Sequence, residues 1–209
     1  MRTYYLNPNL YNKLYSVMQY KNALALRVSL ETGLRIDDVL KLAPSDLKGQ
    51  TIRGQAEKTG KPFRKVLSKD LANRLREVGN KHYIFPHRTD PKKHRTRQAV
   101  WKDVKKAAKL LKLGGNIAPH SARKTYAVEL FRDSGIKDVQ KELQHDHTDT
   151  TLLYAFADLL DEKGTNVREY GENVNKIDDF AELVAEKVTV RLMGLCSGNC
   201  PINGTVSKL

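Results

Sequence analysis

Six residues of this 209-residue chain carry groups that could cut a phosphodiester without a metal ion. Tyr154 offers a phenol nucleophile. His145 lies nine residues before it, Arg123 thirty-one before it, and His120 three before Arg123. Arg35 ends the block Glu31-Thr32-Gly33-Leu34-Arg35, and Lys58 opens the turn-like Lys58-Thr59-Gly60-Lys61. A phosphodiester resists attack because its phosphate is already negative and gains charge in the transition state. Enzymes answer with metal ions or with fixed cationic donors. Arginine suits the second solution, because its planar fork gives two parallel hydrogen bonds to phosphate and keeps its charge. A tyrosine nucleophile would hold the energy of the broken bond as a phosphotyrosyl ester. Its ordinary pKa of about 10 means that a base or cationic surroundings must help it ionise.

These residues need elements to position them. Asn7 followed by Pro8 predicts the start of a helix, with Leu10, Leu14, Val17 and Met18 on one face. Ala23 to Leu30 reads as a buried second helix. Gly33 interrupts the pattern, and Ile36 to Leu42 resumes it as a short third helix that opens beside Arg35. Thr51–Ala56 and Phe63–Leu67 read as two strands, and the turn with Lys58 and Lys61 joins them as a hairpin. Leu71, Leu75 and Val78 mark a further helix, and Tyr83–Phe85 reads as a third strand ended by Pro86. Arg97 to Lys112 is amphipathic, with Val100, Trp101, Val104, Ala107, Ala108 and Leu111 on its apolar side. Ser121 to Phe131 is helical, so His120 and Arg123 share one face near a helix start, where the dipole favours an anion. Val139 and Leu143 anchor a short helix ahead of His145. Asp149 caps a helix carrying Tyr154.

Composition narrows the partner. The net charge is +13 and the sequence pI about 9.7, a balance suited to a polyanion. A merely solvated basic surface, a ribosomal protein or a membrane-surface protein would share it. The charge is uneven: residues 158–187 hold nine acids against four bases, whereas residues 81–109 hold ten bases against two acids. The basic body is therefore the polyanion-binding part, and the chain divides near Leu160–Gly164. Lys92, Lys93, Arg95 and Arg97 are the DNA-contact candidates of the basic stretch, and such groups make binding salt-dependent. No apolar run approaches the roughly 18 residues of a membrane span, and the polar N-terminus is not that of a signal peptide. Two cysteines, Cys196 and Cys200, predict no disulfide framework and a reducing, cytoplasmic compartment.

In this order and at these spacings, the set resembles the catalytic domain of tyrosine site-specific recombinases, the phage integrase family. Thr32-Gly33-Leu34-Arg35, Lys58-Thr59-Gly60, His120-Ser121-Ala122-Arg123, Leu143-Gln144-His145 and Thr150-Thr151-Leu152-Leu153-Tyr154 carry the likeness. The resemblance implies a mainly α (α+β) domain over residues 1–160, with a helical core and a small three-stranded antiparallel sheet at one edge. It implies that Tyr154 is the nucleophile, that Arg35, Arg123 and His145 stabilise the transition state, and that His120 accepts the tyrosine proton. Lys58 would protonate the leaving 5′ oxygen and reach into the minor groove, with Lys61 as its rival and a further DNA contact. Asp38 would support Arg35. No cofactor and no metal is implied, and His145-Asp146-His147 lacks the surrounding ligands of a metal site. His147 is the alternative to His145, and Gln144 departs from a glycine in the family's pattern.

The same resemblance implies double-stranded DNA as partner and DNA integration, excision, inversion or resolution of the kind carried by mobile elements. Most members carry an N-terminal core-binding domain ahead of this region. The lack of one in this stretch predicts weak DNA affinity unless an accessory DNA-binding factor helps. Residues 161–209 read as an acidic tail with one amphipathic helix at about 178–193 and a poorly ordered end. That helix would dock on its own domain or on a neighbouring subunit of a DNA-bound tetramer. Cytoplasmic, nucleoid-associated residence follows from DNA as substrate. Two other readings share the residues: a type IB topoisomerase-like nicking-closing enzyme, and a DNA-binding protein on the same fold that does not cut.

Overall fold

The computed structural model describes residues 3, 5–134, 139 and 142–143. The chain opens with α1 (Pro8–Ser16), where the Asn7 side chain accepts the Asn9 N–H at 3.0 Å and Pro8 takes the first helical position. α2 (Tyr20–Thr32) follows, then α3 (Ile36–Leu40) and a 3-10 turn at Pro44–Asp46. Three strands come next: β1 (Leu47–Lys48), β2 (Thr51–Gln55) and β3 (Pro62–Val66). α4 (Lys69–Val78), α5 (Arg97–Leu110) and α6 (Pro119–Ser134) complete the described order. Among the described residues, no helix is long and apolar enough to cross a membrane.

α2 is the hub. It buries side chains around its whole circumference, from Asn22 and Leu24 to Val28 and Thr32, and it touches α1, α3, α4, α5 and α6. A helix buried on all sides needs apolar residues beyond one stripe, and Ala23-Leu24-Ala25-Leu26 supplies them. Around it Leu14, Leu40, Leu71, Phe85, Val100 and Val104 close one core, each large side chain worth about 1.5–3 kcal/mol in removed apolar surface. A smaller cluster joins Ala127 and Val128 of α6 to Val139 and Leu143, with Tyr126 packed against it.

The sheet runs in the order β1-β2-β3 and is antiparallel throughout, with Lys48 facing Thr51 across the first turn and Gln55 facing Pro62 across the second. The three strands expected from sequence are present in number, but the third is not Tyr83–Phe85. It is Leu47–Lys48, which turns into β2 through Gly49 at φ +60. Tyr83–Phe85 forms no ladder because single bonds pin it: Ile84 donates to the Leu42 carbonyl at 2.9 Å and Phe85 accepts from Arg95 at 2.7 Å. The Asn80 side chain caps its start by accepting from His82 and Tyr83, each at 2.8 Å. α3 stops at Leu40, two residues before its expected end, and α6 starts at Pro119, before Ser121. The residues expected to form the Tyr154 helix, the 178–193 helix and the chain division near 160 lie outside the described residues.

Candidate active site

The Arg35 block is fixed by its own side chains. Thr32 donates to the Val28 carbonyl at 2.6 Å and accepts from the Leu34 N–H at 3.3 Å, while Ser29 donates to the Leu34 carbonyl at 2.7 Å. Gly33 ends α2 in a left-handed conformation, φ +70, donating to Ser29 at 2.9 Å. A Cβ there would stand 2.4 Å from the Tyr126 ring and 2.8 Å from Leu143, so glycine is required for space as well as for φ. The tight exit sets Arg35 at the N-cap of α3, half-buried and extended. Asp38, 5% exposed, accepts the Glu57 N–H at 2.9 Å through Oδ1. It thereby holds the residue before Lys58. Its Oδ2 is buried and unpaired among the described residues.

The β2–β3 hairpin carries Lys58 at an exposed turn. Gly60 (φ +65) donates to Ala56 at 2.7 Å, and the Gln55 side chain donates to the Gly60 carbonyl at 2.6 Å. Lys41 on the α3 side pairs with Glu57. Two contacts at Glu57, from Asp38 and Lys41, therefore tie the turn to α3. Lys58 does not line the cavity described below; Lys61, also exposed, follows at the base of the turn.

α6 brings His120 and Arg123 to its first turn. The Ser121 hydroxyl accepts the Ala118 N–H at 3.2 Å, while the Ser121 N–H donates to the Ala118 carbonyl at 2.8 Å, and Pro119 starts the helix. Thr125, fully buried, anchors α6 to the N-terminal segment by donating to the Leu6 carbonyl at 2.8 Å and bonding the Tyr11 hydroxyl at 3.1 Å. Arg123 is 4% exposed. Its two terminal nitrogens donate to the Gly33 and Leu143 carbonyls, each at 2.7 Å. His120 is pushed down to about 4, by desolvation first and then by the positive charges of Lys124, Arg123 and Arg35. His120 is exposed on α6, which tempers the desolvation, and the three cations lower its pKa in the same direction. At neutral pH the imidazole is therefore uncharged and able to accept a proton.

Arg35, His120 and Arg123 meet in one cavity of about 300 Å³, with Arg97 and Trp101 of α5 also on its wall. A second, smaller crevice is lined by Arg35, Asp38, Lys65, Arg123 and Glu142. His145 and Tyr154 lie outside the described residues, as does the alternative His147. Among the described residues, no three His, Cys, Asp or Glu side chains gather as a metal cage.

The proposed DNA contacts divide. Lys92 and Lys93 are exposed, Lys93 lying 3.4 Å from Asp90. Arg97 is exposed and reaches Asp37 at 3.3 Å on the cavity wall. Arg95 is turned inward: it is 9% exposed, donates to Gln19 at 3.0 Å, and burial pulls its pKa down. One residue sits against its sequence reading and another went unread. Trp101 was placed on the apolar side of α5, yet it is 48% exposed at the cavity, because Val100, Val104, Ala107 and Ala108 take the core face. Lys65 is a buried lysine on β3, 8% exposed. Desolvation lowers its pKa and Arg123 adds to that, while pairing with the Glu142 carboxylate opposes both. The alternation Phe63, Lys65, Leu67 was the signal that could have placed it inside.

Comparison with known proteins gives this geometry a family. The sequence profile of the phage integrase family matches residues 5–159. The tyrosine recombinase XerC of Mesorhizobium japonicum is 29% identical over 148 residues, 66% of this chain and 47% of that protein. The tyrosine recombinase XerD of Halalkalibacterium halodurans is 24% identical over 148 residues, 64% of this chain and 48% of that protein. The chain thus spans about half the length of these relatives. The catalytic domain of bacteriophage HP1 integrase superposes with a TM-score of 0.58 at 17% identity, covering 84% of this chain and 97% of that one. The XerH site-specific recombinase, bound to a palindromic difH substrate, superposes with a TM-score of 0.61 at 20% identity, covering 79% of this chain and 53% of that one. The fold expected from sequence is the one these structures share. With its profile match covering most of the chain, this protein is a member of the phage integrase family.

Proposed function

We propose that this chain is the catalytic domain of a site-specific DNA recombinase that cuts and rejoins double-stranded DNA through a 3′-phosphotyrosyl intermediate. The observation that carries the reading is the convergence of Arg35 and Arg123, eighty-eight residues apart, on one cavity with an uncharged His120. Two guanidinium groups lining one cavity, one of them held by two backbone carbonyls, are what metal-free phosphoryl transfer needs. Tyr154 attacks phosphorus, its proton passes to His120, and the bond from phosphorus to the 5′ oxygen breaks. Lys58 gives that oxygen its proton. Arg35, Arg123 and His145 hold the charge that builds on the non-bridging oxygens. The same steps in reverse, with a 5′ hydroxyl from another strand, seal the exchanged product. No metal and no cofactor takes part.

Exchange between two duplexes breaks four strands, so four copies of Tyr154 act together. We infer a tetramer on DNA, joined through residues 178–193, with an accessory DNA-binding factor where affinity is short. Cytoplasmic, nucleoid-associated residence follows from that substrate. Covalent capture tests the reading. The chain is incubated with a pool of nicked duplexes of random core sequence, and the duplexes bound covalently are sequenced. The selected site is then placed on two plasmids. Capture through Tyr154 followed by exchange of plasmid segments is the expected result. Relaxation of supercoils without exchange would favour a type IB topoisomerase-like enzyme. Salt-sensitive binding with no capture would leave a non-cutting DNA-binding protein.

A further inference from the structure

Lys65 occupies a place where strand alternation calls for an apolar side chain. β3 turns Phe63 and Lys65 inward while Arg64 and Val66 face out. A buried ammonium is costly unless its charge is met, and here one residue meets it twice. Lys65 Nζ donates to the backbone carbonyl of Glu142 at 3.2 Å and pairs with the Glu142 carboxylate. The Tyr126 hydroxyl donates to that carboxylate at 3.2 Å, and the Tyr126 ring lies 5.8 Å from Nζ. Burial and the neighbouring carboxylate push the Tyr126 phenol up, so it stays a donor.

The next carbonyl along the chain, that of Leu143, accepts from Arg123 at 2.7 Å. Cations from β3 and α6 thus hold two consecutive carbonyls. Arg123 reaches back with its other terminal nitrogen to Gly33, two residues before Arg35. In sequence, Leu143 stands two residues before His145, and Lys65 stands seven residues after Lys58 on the strand leaving its turn. We propose that Lys65 is a positioning residue, which with Glu142 latches the hairpin bearing Lys58 to the stretch of chain that leads to His145 and Tyr154. The inference rests on the recombinase reading of the site. An apolar pair could fill the same space. A charged pair adds direction and can be released, because Glu142 keeps 42% of its side chain open to water. A displacement of the hairpin that carries Lys58 would then be felt at the segment beside Arg123.

The test is single-turnover cleavage of a captured, nicked duplex by the full chain at saturating protein, with DNA affinity and thermal denaturation measured alongside. Lys65→Met and Glu142→Gln are each expected to slow cleavage about tenfold or more, the loss that a small misplacement of reacting groups brings. Each should leave DNA affinity within about twofold, since the latch acts on the reaction and not on binding. The double variant should be no slower than the slower single one, because the two residues act as one unit. A wild-type rate in folded Lys65→Met, or losses that multiply in the double variant, would overturn the latch. Should Lys65→Met fail to fold, Glu142→Gln decides alone: it keeps an acceptor for Tyr126, and a wild-type rate in it overturns the proposal. If the wild-type chain captures no duplex covalently from the random pool, the recombinase reading falls and the latch with it.

Discussion

Arg123 is bound to the protein before it meets any phosphate. It donates to the Gly33 and Leu143 carbonyls, so it braces the site while also lining it. Arg35 is half-buried at a helix start and lines the same cavity. The two arginines should therefore fail differently. Arg35→Ala should slow covalent cleavage about 10²–10³-fold, the usual loss of one charge-stabilising donor, with little change in stability. Arg123→Ala should lose cleavage and also about 1–3 kcal/mol of stability in urea denaturation, because two buried carbonyls lose their donor. His120 gives a pH test. Its folded pKa of about 4 lies below its ordinary value of 6.5, so the unfolded chain binds the extra proton between those values. Stability from this group is complete above about 6.5 and is lost as pH falls toward 4. Replacing it with glutamine should flatten that part of the stability profile relative to wild type, and unchanged profiles would contradict the shift. Cleavage should likewise keep a working base throughout the neutral range. These residues were legible because their types and spacings recur as short blocks. Lys65 was not, since a lysine is solvated by default and only its partner Glu142, far along the chain, explains its burial.

At the scale of elements, the site depends on how closely α2, α6 and the 142–143 segment approach. Gly33 is the point of contact, with Tyr126 and Leu143 both within 3 Å of where a Cβ would be. Gly33→Ala should cost about 2–4 kcal/mol, combining a left-handed non-glycine residue with overpacking. Urea denaturation checks it, and a loss under about 1 kcal/mol would mean that Tyr126 moves aside freely. Most helices were readable, since caps such as Asn7-Pro8 and apolar spacing locate α1 and α5. The third strand was misplaced for a physical reason. Leu47–Lys48 is too short to show alternation, and its only signal was Gly49-Gln50, a pair suited to a two-residue hairpin turn. Tyr83–Phe85 carries aromatic and β-branched residues that favour strands, but its backbone is taken by Leu42 and Arg95. Trp101 shows the same limit, because helical spacing places a residue near a face without saying whether the core reaches it.

Across the whole molecule, charge is the broadest signal and the least specific one. Residues 81–109 concentrate ten bases against two acids, yet the structure sorts them. Lys92 and Lys93 face solvent, while Arg95 is buried against Gln19. Lys92→Ala with Lys93→Ala should lower the slope of log K against log salt for DNA binding by about 2, one for each lost phosphate contact. Arg95→Ala should leave that slope alone and lower stability instead. Equal slopes for all three chains would mean that DNA lies elsewhere. The central claim is that Tyr154 links covalently to DNA without a metal. Its most direct measurement is a denaturing gel of wild type and Tyr154→Phe, each incubated in EDTA with a nicked suicide duplex taken from covalent capture. A shifted protein–DNA band in wild type alone is the result the account predicts. No band from wild type, with salt-sensitive DNA binding retained, or a band that survives Tyr154→Phe, would contradict it.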